Sequence, residues 1–340
     1  MKSTKPYRFL AGLSFLLLIL IFFSVSLGSV YISPNEIFQV LFSDTFNESA
    51  IYNIIIHYRF PKTITSVFAG AALGFAGLQM QTLFRNPLAG PFVLGISSGA
   101  SLGVALLVLS GIGITGILAS WSMAIASIVG SSIVLLLVLL VSINIRDSMS
   151  LLLIGLMFGA FTSAIVSVLQ YFSSANDIQN FLFWTFGSTG NLNWQEMKVF
   201  IPVVVGGMAI GYTQAKPLNA LLLGENYAQS MGLTIKKVRI ALVLSTSLLA
   251  GVVTAFCGPI AFLGLAVPHI ARIIFKSANH HVLIPATLLL GAILLLICDI
   301  IAQMPGLDLI LPINAITSLF GAPVVIWLIV KSKNMSRNFG

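Results

Sequence analysis

Residues 59–100 read R-F-P-K-T-I-T-S-V-F-A-G-A-A-L-G-F-A-G-L-Q-M-Q-T-L-F-R-N-P-L-A-G-P-F-V-L-G-I-S-S-G-A, and this stretch decides the fold. Arg59, Pro61 and Lys62 open it. About twenty mostly apolar residues follow, the length that spans a bilayer's hydrocarbon core. They are dotted with Gly70, Ala71, Ala72, Gly74, Ala76 and Gly77. Small residues at helical spacing let backbones approach closely, which is how helices pack in lipid. A charged, proline-rich break at Arg85, Asn86, Pro87 and Pro91 precedes a second small-residue run. The stretch therefore predicts a packed membrane helix, a short loop and the start of another helix.

The composition agrees. Of 340 residues, 58% are hydrophobic and only 8% charged, and the mean hydropathy is +1.04. Soluble domains carry about 25% charged residues, so the chain is expected to be an all-α polytopic membrane protein. Cys257 and Cys298 sit in apolar runs and offer neither a disulfide framework nor metal-ligand spacing. The net charge of +8 is spread over loop after loop. Such a distribution reports membrane topology and not nucleic-acid binding.

In chain order, basic residues Lys2, Lys5 and Arg8 lead into span 1, from Phe9 to about Val30. Ser26-Leu27-Gly28 would suit a cleavage site, but the run is long for a signal peptide, so a retained span is expected. Residues 31–58 form an external loop with a short helix near Pro34–Phe42. Spans 2 to 5 cover about 61–84, 93–109, 117–143 and 148–172, with turns at 111–116 and at Arg146-Asp147. Residues 173–194 are too polar to span and give a surface helix. Span 6 covers about 195–213 and span 7 about 239–256. Pro259 and Gly264 predict a short or broken span 8 near 260–275. Spans 9 and 10 cover about 282–304 and 311–330, before a basic tail with Lys331, Lys333 and Arg337.

With about ten transmembrane helices, both termini lie on one side. Arg59, Lys62 and Lys198 are the only three of seventeen Lys and Arg on the far side; the other fourteen lie on the near side. The positive-inside rule then places both termini in the cytoplasm. Glu36, Asp44, Glu48, Asp177, Glu196 and Asp308 fall on the outside.

No G-x-x-x-x-G-K-[ST], H-E-x-x-H or G-x-S-x-G occurs, so P-loop nucleotide binding is excluded and enzyme chemistry has no foothold. Asp299 is the one charged residue within a span, near its outer end, and is read as a satisfied structural carboxylate. An ion-coupled carrier would call for more buried carboxylates than this. His269 and Arg272 share a helix face at a helix end, and His280 and His281 are read as loop residues. The longest polar stretch between spans, 214–239, suits two short amphipathic helices. Pro217 opens the first and Gly224 closes it; Glu225 to Met231 makes the second, closed by Gly232. Leu221–Leu223 would serve either partner docking or lipid headgroups.

Four stretches together resemble one family: 59–100 as quoted, L-L-L-G-E-N-Y-A-Q-S-M-G (221–232), G-P-I-A-F-L-G-L-A-V-P-H-I-A-R (258–272) and L-P-I-N-A-I-T-S-L-F-G-A-P-V-V-I-W (311–327). They are similar to the FecCD/BtuC-like permeases, the transmembrane subunits of ABC importers for iron–siderophore complexes, haem and cobalamin. The resemblance covers essentially the whole chain and implies a single permease domain, 1–340, of the type II ABC importer kind. It implies a homodimer of two permease copies, two cytoplasmic ABC ATPase subunits and an extracytoplasmic substrate-binding protein. ATP and Mg would belong to the ATPases, with no cofactor on this chain. It moves 214–239 toward ATPase coupling, with Leu218, Leu221, Gly224, Glu225, Ala228 and Gly232 as coupling residues. Arg59 and Lys62 match external docking cations for the binding protein. A third such position is here Gln303, and a Glu common before the last span is Ile310. Asn86, Leu88, Ser148 and Met149 match the cytoplasmic gate, and the span with Gly155 and Gly159 would line the path or simply pack. A ferric siderophore is the expected cargo, with cobalamin or haem as the alternative.

Overall fold

The computed structural model describes residues 5–28, 30–42, 49–110, 117–144, 148–305 and 309–335. Among them every regular element is helical: α1 (Lys5–Ser26), α2 (Pro34–Phe42), α3 (Ala50–Asn53), α4 (Phe60–Leu83), α5 (Ile96–Leu109), α6 (Ile117–Asn144), α7 (Ser148–Phe172), α8 (Ala175–Phe186), α9 (Trp194–Thr213), α10 (Ala215–Leu221), α11 (Glu225–Ser230), α12 (Ile235–Cys257), α13 (Leu263–Phe275), α14 (His280–Ala302) and α15 (Ile313–Met335). Seven helices are long and apolar enough to cross a membrane, and three shorter apolar ones (Ile96–Leu109, Leu263–Phe275, Ile313–Ile326) join them. The all-α, roughly ten-span architecture expected from sequence is what forms. The expected turns at 111–116 and Arg146-Asp147, and Lys2, Asp44, Glu48, Asp308 and Arg337, lie outside the described residues.

Local chemistry sets the helix starts. Asn193 and Glu196 form a reciprocal capping box on α9: the Asn193 side chain accepts from the Glu196 N–H at 3.0 Å, and the Glu196 carboxylate accepts from the Asn193 N–H at 2.9 Å. Ser33 and Glu36 do the same for α2, and those Ser33 hydrogen bonds hold the Glu36 carboxyl below its usual range. The outer segment before α4 differs from the expected loop. α3, a π-helical turn over Ile54–Arg59 and α4 run on as one helix, Ala50–Leu83. Ile55 and Arg59 of this turn point inward, and Val25, Ile32, Ile37 and Val40 pack with Ile55 on that one face while Ala50, Asn53, His57 and Tyr58 stay exposed.

α4 is the centre of the bundle. None of its residues is exposed, and it packs against α14, α13, α12 and α9. Its closest neighbour runs antiparallel in one continuous register. A β-carbon on Gly70 would run into the Gly291 carbonyl, and one on Gly74 would lie 2.8 Å from the Thr287 carbonyl. At the two ends of the same seam Thr82 meets His280 at 2.9 Å and Lys62 meets Asp299 at 3.4 Å. On another face Gly77 sits directly against the Gly264 carbonyl of α13. The glycines in the opening stretch are thus where two backbones touch.

The two glutamines inside this packing are answered by the protein, as a lipid-embedded interior favours, while the buried Thr65 hydroxyl of the same helix has no hydrogen-bond partner among the described residues. Gln79 donates to Ser245 Oγ at 3.0 Å and accepts from Thr246 at 3.2 Å, and Ser245 donates to the Gly207 carbonyl at 2.7 Å, joining α4, α12 and α9. Gln81 donates to the Leu265 carbonyl at 3.1 Å and accepts from Arg272 at 2.6 Å, joining α4 to α13. The expected break before α13 is real. Gly258 and Phe262 take positive φ, and the Asn314 side chain accepts the freed Ala261 N–H at 3.1 Å.

Gly77→Val is expected to lower stability by at least the ~1–3 kcal/mol typical of overpacking, because the obstacle is backbone. Gly12→Val, where a β-carbon meets nothing within 4 Å, should be silent. Thermal unfolding of the two variants in detergent checks the contrast.

Candidate functional site

Two polar clusters mark the two ends of the α4–α14 seam. At the first end, α10 continues from α9 and buries Leu218, Ala220 and Leu221 with Met80, Leu83 and Phe84 of α4's end and Val238 and Leu242 of α12. Gly224 (φ +115°) turns the chain into α11, and Gly232 (φ +86°) turns it out again. Both are left-handed positions that a side chain would strain. Ala228 is buried in the same cluster. Glu225 pairs with Arg239 of α12 at 3.3 Å, and Arg85, just past α4, donates to the Leu222 carbonyl at 3.1 Å.

Of the six residues that resemblance assigned to coupling, Leu218, Leu221 and Ala228 are therefore anchors facing the bundle. Gly224 and Gly232 shape turns, and Glu225 is a strut. The apolar surface expected over Leu221–Leu223 is displaced: Leu221 points inward because α10 must bury one face. Leu222, Leu223, Tyr227 and Met231 are the exposed side chains, Leu223 at 64%. The sequence signal for this surface was the helical spacing of apolar residues around the two glycines.

The reading of His280 as a loop residue is overturned. His280 opens α14 and is 1% exposed. Its backbone N–H and Nδ1–H both donate to Asn219 Oδ1 of α10 at 2.8 Å, and its Nε2 is hydrogen-bonded to Thr82 Oγ1 of α4 at 2.9 Å. Asn219 in turn donates to the Asn279 side chain at 3.1 Å. His281 is the exposed neighbour, its N–H capped by Asn279 at 3.0 Å. His269 donates to the Pro87 carbonyl at 2.8 Å and Arg272 to Gln81 Oε1 at 2.6 Å, so both hold the end of α13 to α4 and the loop after it, the structural role expected of them.

Of the expected gate, Asn86 accepts the Leu88 N–H at 2.9 Å, and Leu88 is exposed. Ser148 and Met149 open α7, but their side chains lie outside the described part of the molecule. The loop meets α7 about two to three turns further on, where Gly95 lies against the Gly155 carbonyl and Phe158. Gly155 and Gly159 are packing positions on α5, with Ser98 beside Gly159. Next to them a cleft of about 330 Å³ is lined by Ser97, Ser98, Ser101, Ser163, Val166, Ser167 and Phe181.

At the opposite end the two expected docking cations are not free. Arg59 is 8% exposed and donates to the backbone carbonyls of Val25 at 2.6 Å, of Ser26 at 2.8 Å and of Val30. Gly28 makes room for it, since a β-carbon there would lie 2.8 Å from Nη2. Lys62 pairs with Asp299 at 3.4 Å, with side chains 19% and 3% exposed. Asp299 also accepts from Thr189 at 2.6 Å and from Gln303 at 3.0 Å. The expected exposure is corrected: the chain's own carbonyls and carboxylate reach the cations first, because both emerge on the helix face that meets α1 and α14. Gln303, at the third position, is bound to the same carboxylate, and Ile310 is exposed. Asp299 is the satisfied structural carboxylate expected of it.

Among the described residues, no group of three or more His, Cys, Asp or Glu could hold a metal ion. What the arrangement offers is mechanical: a closely packed helical bundle with apolar flanks, a pair of anchored short helices at one end and locked charges at the other. That combination defines a multi-pass membrane permease. The family model of the FecCD transport family matches residues 16–331, and the chain belongs to that family. The vitamin B12 import system permease protein BtuC of Citrobacter koseri is 36% identical over 332 residues, covering 98% of this chain and 97% of that one. Its counterpart in Salmonella typhi is 36% identical over 334 residues, covering 97% of each. A solved candidate metal-chelate type ABC transporter in an inward-facing conformation superposes with a TM-score of 0.81 at 28% identity, covering 96% of this chain and 99% of that one. PsaBC from Streptococcus pneumoniae shares the fold at a TM-score of 0.56 and 15% identity, covering 85% and 94%.

Lys62→Met should strand the buried Asp299 carboxylate and destabilise the protein by about 3–5 kcal/mol. The Lys62→Met/Asp299→Asn pair should recover more than half of that loss, and a double-mutant cycle on thermal unfolding in detergent measures the recovery.

Proposed function

We propose that the chain is the permease of an ABC importer, one permease domain over 1–340 whose 214–239 stretch takes the force from a partner ATPase. The observation that carries this is the α10–α11 pair. Its inner faces are fixed to α4, α12 and α14, while Leu222, Leu223, Tyr227 and Met231 stay exposed. An anchored helix pair presenting apolar and aromatic side chains suits a protein partner, since such residues dominate interface energetics when buried. Two copies of the chain, two ATPase subunits and an extracytoplasmic binding protein make up the proposed assembly. Both termini face the cytoplasm, and ATP and Mg stay with the ATPases. The exposed apolar face of α7 (Leu153, Met157, Phe161, Val168) is the proposed meeting surface of the two copies.

The docking role of Arg59 and Lys62 takes a different form from two exposed cations. Lys62 is paired with Asp299, whereas Arg59 is held by neutral carbonyls and has no carboxylate partner among the described residues. Its positive field, and not a direct ion pair, is what a carboxylate on the binding protein would meet. Gate residues Asn86, Leu88, Ser148 and Met149 lie at the α10–α11 end, where motion of that pair would reach them first.

The proposed cargo is a large metal chelate, a ferric siderophore first. The corrinoid alternative has the names of the BtuC relatives in its favour, while the metal-chelate type description of the structural neighbour favours the broader class. An ion-coupled carrier is disfavoured because Asp299 is tied to three partners.

Two experiments test this. Leu223→Asp/Tyr227→Asp should cut co-purification of the ATPase from native membranes at least tenfold without changing chain abundance; undiminished recovery would reject the docking surface. Uptake of radio-iron ferrichrome into proteoliposomes holding the complete importer should exceed uptake of radiolabelled cyanocobalamin, and the reverse order would make the corrinoid the cargo.

A further inference from the structure

His280 has no part in the coupling surface described above, yet its two ring nitrogens are hydrogen-bonded to the coupling pair and to the central seam at once. It sits at the first turn of α14, 1% exposed. Through Asn219 it holds α10, and through Thr82 it holds the last turn of α4. Asn219 closes the knot by donating to Asn279, the residue that caps α14. An imidazole is suited to the place. Its two nitrogens point in different directions on a rigid ring, so one side chain fixes two neighbours at a defined separation.

The knot differs from the other anchors of α10 and α11. Leu218, Leu221 and Ala228 attach them by apolar packing, which is close-fitting but carries no directional bond. The Glu225–Arg239 pair attaches α11 to α12, and Arg85 attaches the residue after α10 to the loop following α4. Among the described residues, the His280–Asn219 and His280–Thr82 bonds join α10 to both helices of the seam by directional side-chain contacts away from the exposed surface. Beyond it the seam is closely packed on both sides of Pro285. Gly74 touches Thr287, Gly70 touches Gly291, and Lys62 meets Asp299 at the far end. A displacement of α10 delivered at Asn219 therefore reaches α4 and α14 together.

We propose that His280 is a positioning residue that converts movement of the coupling pair into movement of the α4–α14 seam, so that ATP hydrolysis on the partner and cargo passage stay in step. This rests on the reading of α10–α11 as the ATPase-coupling element. A merely structural histidine would, on removal, lower abundance, ATPase recruitment, hydrolysis and uptake in parallel. A transmitting histidine would lower the amount of cargo moved per ATP while recruitment persists.

The test uses the complete importer in proteoliposomes, with ATPase recovery, ATP hydrolysis and cargo uptake measured on the same preparation. His280→Ala is expected to keep recruitment and hydrolysis within about twofold of the unaltered protein and to reduce cargo moved per ATP at least fivefold. Asn219→Ala should do the same, and His280→Ala/Asn219→Ala should be no worse than either alone, because both remove one connection. His280→Gln, whose amide reaches toward Thr82, should restore part of the ratio. An unchanged ratio in His280→Ala, or a double variant whose defects multiply, would overturn the proposal. Should His280→Ala not accumulate, Thr82→Val cuts the same connection at its other end and must lower the ratio for the proposal to stand. If instead the Leu223→Asp/Tyr227→Asp chain still recruits ATPase and couples normally, the coupling reading itself has failed, an outcome separable from a failure confined to His280.

Discussion

Where α4 meets α14 and α13, backbone touches backbone. Gly70 lies on the Gly291 carbonyl, Gly74 on Thr287 and Gly77 on Gly264. In lipid, exposed apolar side chains gain nothing by leaving one apolar medium for another, so helices associate through close packing and interior hydrogen bonds. Glycine contact provides the packing, and Gln79 and Gln81 provide the bonds to α12 and α13. Once α4 is enclosed, the positions of α9, α12, α13 and α14 follow, and the remaining long helices, α6, α7 and α15, turn apolar faces outward.

The antiparallel seam also explains how the two ends of the molecule are related. From Lys62 to Thr82 α4 rises about 30 Å, the thickness of a bilayer's hydrocarbon core. One end carries Lys62–Asp299 and the Arg59 carbonyl cluster. The other carries Thr82–His280, Arg85 and the glycine-turned pair α10–α11. The seam is a glycine-packed contact with a polar clamp at each extremity, interrupted on the α14 side by Pro285. Conformational change in such a bundle is then a matter of whole helices shifting, as in hinge and shear motions elsewhere.

Much of this was legible in the residues. Length and hydropathy located the spanning helices, and Pro34, Pro217, Gly224 and Gly232 marked α2, α10 and α11, because capping and turn chemistry act over three or four residues. Pro259 and Gly264 announced the short α13. What sequence could not reach were partners distant along the chain. Arg59 read as an exposed cation because its own neighbours are polar; the carbonyls that hold it belong to the end of α1 and the segment after it, some thirty residues earlier. His280 read as a loop residue because Asn279 and His281 beside it are exposed; Asn219 and Thr82 are brought to it only by packing. The helical course of residues 50–59 was hidden for the same reason, its shelter coming from tertiary neighbours and not from local hydrophobicity.

The chain carries no G-x-x-x-x-G-K-[ST] motif, and the buried Asp299 is tied to Lys62, Thr189 and Gln303, so the proposed function takes its driving energy from a partner ATPase. The most direct measurement is cargo accumulation in proteoliposomes containing the permease with its binding protein, with and without the ATPase, and with ATP or an imposed ion gradient. Accumulation only when ATPase and ATP are both present is the predicted result. Accumulation by the permease without the ATPase, driven by a proton or sodium gradient, would contradict it.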